Sequence, residues 1–318
     1  TGNAVINEGT VKLSGGTVTF GTNSTAANIT TLRQGATLDI NAAGASQTIG
    51  VGALQGAGTV TNSGGGTSTA GTISFGRATS ATSATTAIFT GILQNGAGVL
   101  NVIIDGTILR TQSLLGQSTY TGVTTIATGA QVSVNVLANG GFASGIGQST
   151  AAAANLVFNG TAPTLVYQGN NRVGSLNLGS NSATTDRLFT ISGAGAVLSS
   201  TASNNNAIVW SSAGAIVHGT VAARTLTLTG TSTGDNTFNP QLTDSGTGAA
   251  ITSLTKTAAG QWNLGSSTSS YTGQTRVQEG ILALNVSSAL PANSPLVLGN
   301  DATAGTIQTS GTFTRDLV

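Results

Sequence analysis

Apolar and β-branched residues fall in short alternating runs: Thr10-Val11-Lys12-Leu13, Thr17-Val18-Thr19-Phe20, Ala36-Thr37-Leu38-Asp39-Ile40, Thr59-Val60-Thr61, Asn155-Leu156-Val157-Phe158 and Thr225-Leu226-Thr227-Leu228-Thr229. A period of two sends successive side chains to opposite faces, the mark of a β-strand with one face buried. No stretch shows the three-and-four spacing of an amphipathic helix, and the alanine run Ala151 to Ala154 is too short to form one. Between the runs stand Gly15-Gly16, Gly64-Gly65-Gly66, Asn139-Gly140-Gly141, Asn159-Gly160 and Asn204-Asn205-Asn206. These residues tolerate positive φ or bond their own backbone, and so mark turns. The pattern predicts an all-β chain of short strands, roughly three to six residues each.

Many short strands suit a sandwich, a barrel or a solenoid, and internal repetition decides among them. Tyr120-Thr121-Gly122-Val123-Thr124-Thr125-Ile126-Ala127-Thr128-Gly129 matches Tyr271-Thr272-Gly273-Gln274-Thr275-Arg276-Val277-Gln278-Glu279-Gly280 at Tyr, Thr, Gly, Thr and the last Gly. A weaker pair sets Leu54-Gln55-Gly56-Ala57-Gly58-Thr59-Val60 against Ile191-Ser192-Gly193-Ala194-Gly195-Ala196-Val197. A sandwich core about 10 Å thick needs bulky inward side chains, and aromatic residues are only 4% of the chain. A narrow coil suits small residues better. We therefore expect a parallel β-helix with roughly 20 to 25 residues per winding, in which like residues stack at about 4.8 Å. It is expected to run as one continuous β-solenoid over 1–318, with repeat-like cores near 96–134 and 253–285.

Composition narrows the function classes. Charged residues are 6% of the 318, and ten Lys and Arg nearly cancel nine Asp and Glu. Lys12, Arg33, Arg77, Arg110, Arg172, Arg187, Arg224, Lys256, Arg276 and Arg315 are spread singly, whereas binding a nucleic-acid backbone takes a cluster. Nucleic acid is therefore excluded as a partner. Positive mean hydropathy argues against disorder. No apolar run approaches the 18 or so residues of a membrane helix, so membrane insertion by this chain is not expected. With no Cys, disulfides, thiol catalysis and zinc-cysteine sites are out of reach. Met is absent even at position 1, and the sequence reads as an excerpt of a longer precursor.

Leu254-Thr255-Lys256-Thr257-Ala258-Ala259-Gly260-Gln261-Trp262-Asn263-Leu264, followed by Ser270-Tyr271-Thr272-Gly273-Gln274-Thr275-Arg276-Val277-Gln278-Glu279-Gly280-Ile281-Leu282, resembles the autotransporter-associated β-strand repeat. That pattern runs L-T-K-x-G-x-G-x-W/L-x-L, a loop, then Y-T-G-x-T-x-V-x-x-G-x-L. A degraded copy runs from Gly96 to Gly129, and the stretch from Gly35 to Thr61 is similar to the spacers between such repeats. The closing Gly311-Thr312-Phe313-Thr314-Arg315-Asp316-Leu317-Val318 looks like another spacer cut short. The resemblance implies a secreted or surface-exposed right-handed parallel β-helix of bacterial passenger regions, structural or adhesive, and not an enzyme.

β-Helices also host polysaccharide-cleaving enzymes, so the carboxylates matter. Asp39, Asp105, Asp186, Asp235, Asp244, Asp301 and Asp316 are isolated, with Arg neighbours only in Asp186-Arg187 and Arg315-Asp316. The single histidine, His218, sits in Ile216-Val217-His218-Gly219, without the companion motifs of pectin-cleaving β-helices and without a G-x-S-x-G elbow. The Gly-rich loops have no phosphate-binding motif and no helix to serve. No catalytic, cofactor-binding or metal-binding residue is therefore expected. Trp210, Trp262, Tyr120, Tyr167 and Tyr271 would stack on sugars if exposed; packing in the core or at a coil edge is the expectation. Threonine pairs, such as Thr17 with Thr19, Thr59 with Thr61, and Thr225, Thr227, Thr229 and Thr231, would bind ice or a crystalline polymer only if stacked in flat arrays.

The expected function is an extracellular or cell-surface structural and adhesive β-solenoid, assembling into or forming part of a fibre through self-association or neighbouring repeats. A carbohydrate-active or glycan-binding β-helix is the alternative, and ice or surface binding through threonine arrays a second.

Overall fold

The computed structural model describes residues 4–13, 18–20, 29–42, 46–65, 70–76, 86–106, 111–173, 176–180, 182–300 and 302–309. Gly15, Gly16, Thr17, Gly66, Arg77, Arg110, Asp301 and the closing segment 311–318 lie outside the described residues. The chain divides into two compact units, Thr1–Thr150 with Asn155–Val157, and Ala151–Ala154 with Phe158–Val318.

In the first unit, strands Ala4–Ile6, Ile29–Leu32, Ala53–Gly56, Ala87–Phe89, Thr111–Leu114 and Gln131–Val134 lie side by side in that order. A second face carries Gly9–Lys12, Ala36–Asp39, Thr59–Thr61 and Ile92–Leu93, and a third Val18–Phe20, Gln47–Val51, Gly71–Phe75, Leu100–Ile104 and Thr124–Ala127. Each strand pairs in parallel with the strand one winding on, not with its sequence neighbour. This is a parallel β-helix. The second unit repeats the plan. One face carries Thr164–Tyr167, Gly195–Ser200, Arg224–Thr229, Thr252–Lys256, Thr275–Val277 and Leu296–Leu298. Another carries Ala183–Thr185, Ile208–Trp210, Thr237–Phe238, Gln261–Leu264, Gly280–Leu284 and Gly305–Thr309.

The windings are less regular than expected. Twenty residues separate the paired Thr111 and Gln131, and twenty-one separate Leu254 from Thr275. Thirty-three separate Thr164 from Val197, because that winding carries an antiparallel hairpin, Asn170–Val173 against Leu176–Ser180. Loop insertions cost little when the strands on either side keep their ladder.

Alternation puts the apolar set inside. Strand Arg224–Thr229 buries Arg224, Leu226 and Leu228, leaving Thr225, Thr227 and Thr229 half-exposed. Ile49, Ile73 and Val102 stack over one another, as do Val51, Phe75, Ile104 and Ile126. Each such aliphatic side chain contributes about 1.5–3 kcal/mol by leaving water. The expectation of a bore too tight for bulk is corrected. Phe158, Phe189 and Trp210 pack edge to face at centroid distances of 5.2 and 5.5 Å, with Phe238 6.2 Å from Phe189. All four are buried.

Smallness is needed where windings touch. A Cβ at Gly122 would lie 2.2 Å from Leu100 O, and one at Gly273 would lie 2.3 Å from Thr252 O. The two glycines of the repeated Tyr-Thr-Gly therefore rest on the strand of the preceding winding, where no side chain fits.

Candidate functional site

The matching segments build the same polar spine. Tyr120 Oη lies 2.7 Å from Thr124 Oγ1, which donates to Ile146 O at 3.2 Å. Tyr271 Oη lies 2.7 Å from Thr275 Oγ1, which bonds Ser294 Oγ at 2.8 Å, and Ser294 donates to Gly273 O at 2.6 Å. The likeness begins upstream of the repeat recognised in sequence. Asn95 Oδ1 accepts from Leu100 N and Thr121 N, at 3.0 and 3.2 Å. Asp244 Oδ1 accepts from Thr252 N and Thr272 N, at 2.7 and 3.1 Å. Ser118 and Ser269 likewise accept from Leu93 N and Leu242 N. These roles went unread because Asn and Asp, or Gln94 and Thr243 beside them, share too little identity for the equivalence to show in sequence alone.

Single buried amides tie three windings at a time. Asn62 Oδ1 accepts from Ala42 N at 2.9 Å while its Nδ2 donates to Val99 O at 2.9 Å. Asn236 bonds Ile208 N at 3.1 Å and Gln261 O at 3.0 Å. Both side chains are fully buried, and an unsatisfied amide there would be costly.

Lys256 is also fully buried. Its ammonium donates to Thr257 O, Ala258 O and Glu279 O at 2.7, 2.6 and 3.1 Å, so two protons close the Thr257-Ala258-Ala259-Gly260 turn and the third ties it to Glu279 one winding on. Burial pushes its pKa down to about 8, partly offset by the Glu279 carboxylate.

His218 lies at a corner with Arg224 and Asp244. Its Nε2 is 2.9 Å from Thr243 O and so carries the proton, while Nδ1 is buried without a hydrogen-bond partner among the described residues. Burial lowers its pKa; the Thr243 carbonyl and Asp244 work against this, and Arg224 adds to it. Arg224, itself buried, donates to Gly193 O, Thr220 O and Thr220 Oγ1. Asp244 is spent on Thr252 and Thr272, and the Ser245 hydroxyl donates to Ala222 O at 2.5 Å. The corner lacks the nucleophile, base and orienting carboxylate in sequence of a triad.

Among the described residues the remaining carboxylates form no cluster. Asp39 accepts from Ser63 Oγ at 2.5 Å and lies 4.0 Å from Lys12 Nζ. Among the described residues no three His, Cys, Asp or Glu form a group able to hold a metal. Trp210, Trp262, Tyr120, Tyr167 and Tyr271 are all buried, as expected, and Trp262 Nε1 donates to Thr229 O at 2.9 Å. Threonine columns are short. Thr10, Thr37 and Thr59 stand in register but meet Ile92, with Lys12, Asp39 and Thr61 in the next column. Thr227 and Thr255 stand between Val197 and Arg276.

One open groove stands out in the second unit. It has a volume of about 360 Å³ and is lined by Asp235, Gln261, Asn263, Ala283, Leu284, Asn285, Gln308 and Thr309. These positions lie on successive windings, and only the strand register, invisible in a single sequence, brings them together.

Stacked parallel windings, closed by Tyr-Thr pairs and buried amides, define a parallel β-solenoid. No protein-family model matches the chain, and no solved structure matches it. Over 268 residues, 80% of this chain, it is 34% identical to the adhesin BmaC autotransporter of Brucella suis biovar 1 (strain 1330). The chain spans about 7% of the length of that curated relative. The chain is thus similar to an autotransporter passenger protein, and that similarity implies an extracellular or cell-surface location. No helix among the described residues is long and apolar enough to cross a membrane.

Proposed function

We propose that the chain is an adhesive scaffold of the bacterial surface, whose windings hold binding surfaces away from the cell and join neighbouring repeats of the same fold into a fibre. The observation that carries this reading is the similarity to an adhesin across 80% of the chain, on a fold whose buried polar groups act as ties between windings. The reading assigns no catalytic role. Lys256 and Asp244, the groups most suggestive of chemistry, have their hydrogen-bonding capacity taken up by backbone and threonine, whereas a catalytic group must be able to reach a substrate.

Microspheres coated with the folded chain should attach to host-cell monolayers or to extracellular matrix under flow, and microspheres coated with heat-unfolded chain should not. Equal attachment of both would sink the adhesive reading. Sedimentation of the purified chain over a range of concentrations tests self-association, for which a growing weight-average mass is expected. Release of reducing ends or unsaturated products from acidic polysaccharides would instead establish the enzymatic alternative.

A further inference from the structure

We infer that the groove over strands Thr237–Phe238, Gln261–Leu264, Gly280–Leu284 and Gly305–Thr309 is a binding subsite for a neutral glycan. This deepens the adhesive reading and rests on it. The groove has a physical origin in the register. Thr237, Asn263, Ala283 and Gln308 occupy one outward column on four successive strands. The small Ala283 between two amide side chains leaves a hollow, flanked by Asp235 on one side and Asn285 on the other. Its volume of about 360 Å³ falls within the range of small-molecule sites.

The lining chemistry selects the ligand class. Carboxamides both donate and accept, and a carboxylate accepts two hydrogen bonds or more, which matches vicinal sugar hydroxyls that also do both. The groups are partly preorganised: Gln261 Nε2 lies 3.3 Å from Asp235 Oδ1 and 3.2 Å from Asn263 Oδ1. Gln261 Oε1 and Asn263 Nδ2 have no other hydrogen bond among the described residues; Gln261 is half-buried, and Asn263, 6% exposed, belongs to the wall of the groove. No Lys, Arg or His lines the groove while one carboxylate does, so an acidic saccharide would meet like charge without compensation. No aromatic ring lines it either, so hydrogen bonds rather than stacking carry the recognition. Affinity in an open groove of this kind is on the order of millimolar per site, and repetition along a fibre would raise it by avidity.

The test uses the full chain, isotope-labelled, titrated with cellopentaose, mannopentaose, chitopentaose and penta-galacturonate while amide shifts are followed. At least one neutral oligosaccharide should shift resonances of Gln261, Asn263 and Gln308, and penta-galacturonate should not. The double variant Asp235→Ala with Gln308→Ala should weaken that binding about tenfold or more. The variant Gln274→Ala, on another exposed position, should leave it unchanged. Because Asp235 and Gln308 are both exposed, unaltered amide dispersion in the double variant separates lost binding from lost fold. Absence of binding by all three neutral sugars, binding that survives the double variant within twofold, or equal binding of penta-galacturonate would overturn the inference. Continued attachment of coated microspheres in those cases would remove the groove and leave the adhesive reading standing.

Discussion

Tyr271 donates to Thr275 across 2.7 Å, and Thr275 passes the direction on through Ser294 to the Gly273 carbonyl. The direction follows from the end of the chain: a carbonyl only accepts, so Ser294 must donate to it, Thr275 to Ser294 and Tyr271 to Thr275. Three hydroxyls and a carbonyl thus share one buried relay, with each bond polarising the next. The conserved look of Tyr-Thr-Gly-x-Thr within this chain is the sequence trace of that relay.

Removing its middle should cost more than removing its start. Thr275→Val leaves the Tyr271 hydroxyl without an acceptor and the Ser294 hydroxyl without a donor, for an expected loss of about 2–3 kcal/mol. Tyr271→Phe removes one donor and leaves the rest of the relay satisfied, for about 1 kcal/mol. Urea unfolding of the two variants measures the difference; equal losses would show that the hydroxyls act independently.

Ala258 stands where the repeat pattern has glycine, at φ +59°. A side chain in the left-handed region carries a strain of about 1–2 kcal/mol, against which glycine's greater freedom when unfolded must be set. Ala258→Gly should therefore stabilise the chain by about 0.5–1 kcal/mol. Gly280, at φ +72°, has the opposite need: a Cβ there would lie 2.4 Å from Gly260 O and 2.8 Å from Lys256 Nζ. Gly280→Ala should lower the melting temperature by several degrees, and a rise in both variants would refute this account of the turn.

The fold was legible in the sequence because strand alternation and the Tyr-Thr-Gly recurrence are local signals that survive without coordinates. The burial of Trp262 and Tyr271 was legible for the same reason. What could not be read was anything set by register between windings twenty to thirty-three residues apart. Nothing in the sequence singles out Asn62 and Asn236, which are ties through three windings. Lys256 looked like one scattered cation and closes a turn. The scarcity of aromatics suggested a narrow bore, yet Phe158, Phe189 and Trp210 stack inside it; composition counts residues without saying which wall they line.

The lone histidine gives a signature in acid. Burial holds the folded pKa of His218 below its ordinary 6.5, so below pH 6.5 the unfolded chain takes up a proton that the folded chain resists. The stability contributed by the neutral ring is present above pH 6.5 and is lost as pH falls through the folded pKa. His218→Gln retains a donor for Thr243 O and removes the titration. Between pH 7 and pH 5 the variant should lose less stability than the parent, by urea midpoints at each pH. A parallel decline in both would mean that the imidazole stays solvated at that corner.

Lys256 and Tyr167 impose slopes of opposite sign in alkali. The Lys256 pKa is about 8 in the folded chain against 10.5 unfolded, so between these values the unfolded chain holds more protons and stability rises with pH. The linkage limit for such a shift is about 3 kcal/mol. Burial raises Tyr167 from 10 to about 12; there the folded chain holds the extra proton, and stability falls as pH passes from 10 to 12. Stability should thus climb from pH 8 to a maximum near pH 10 and then decline. Lys256→Met leaves the carbonyls of Thr257, Ala258 and Glu279 without the ammonium, and should be less stable than the parent at pH 7 by about 2–4 kcal/mol. It should also lack the rise between pH 8 and 10 while keeping the later decline, which Tyr167→Phe should abolish. Unfolding midpoints at pH 7, 8.5, 9.5 and 11 separate the two groups, and a flat profile for the parent between pH 8 and 10 would show that the Lys256 ammonium is as well solvated by its three carbonyls as by water.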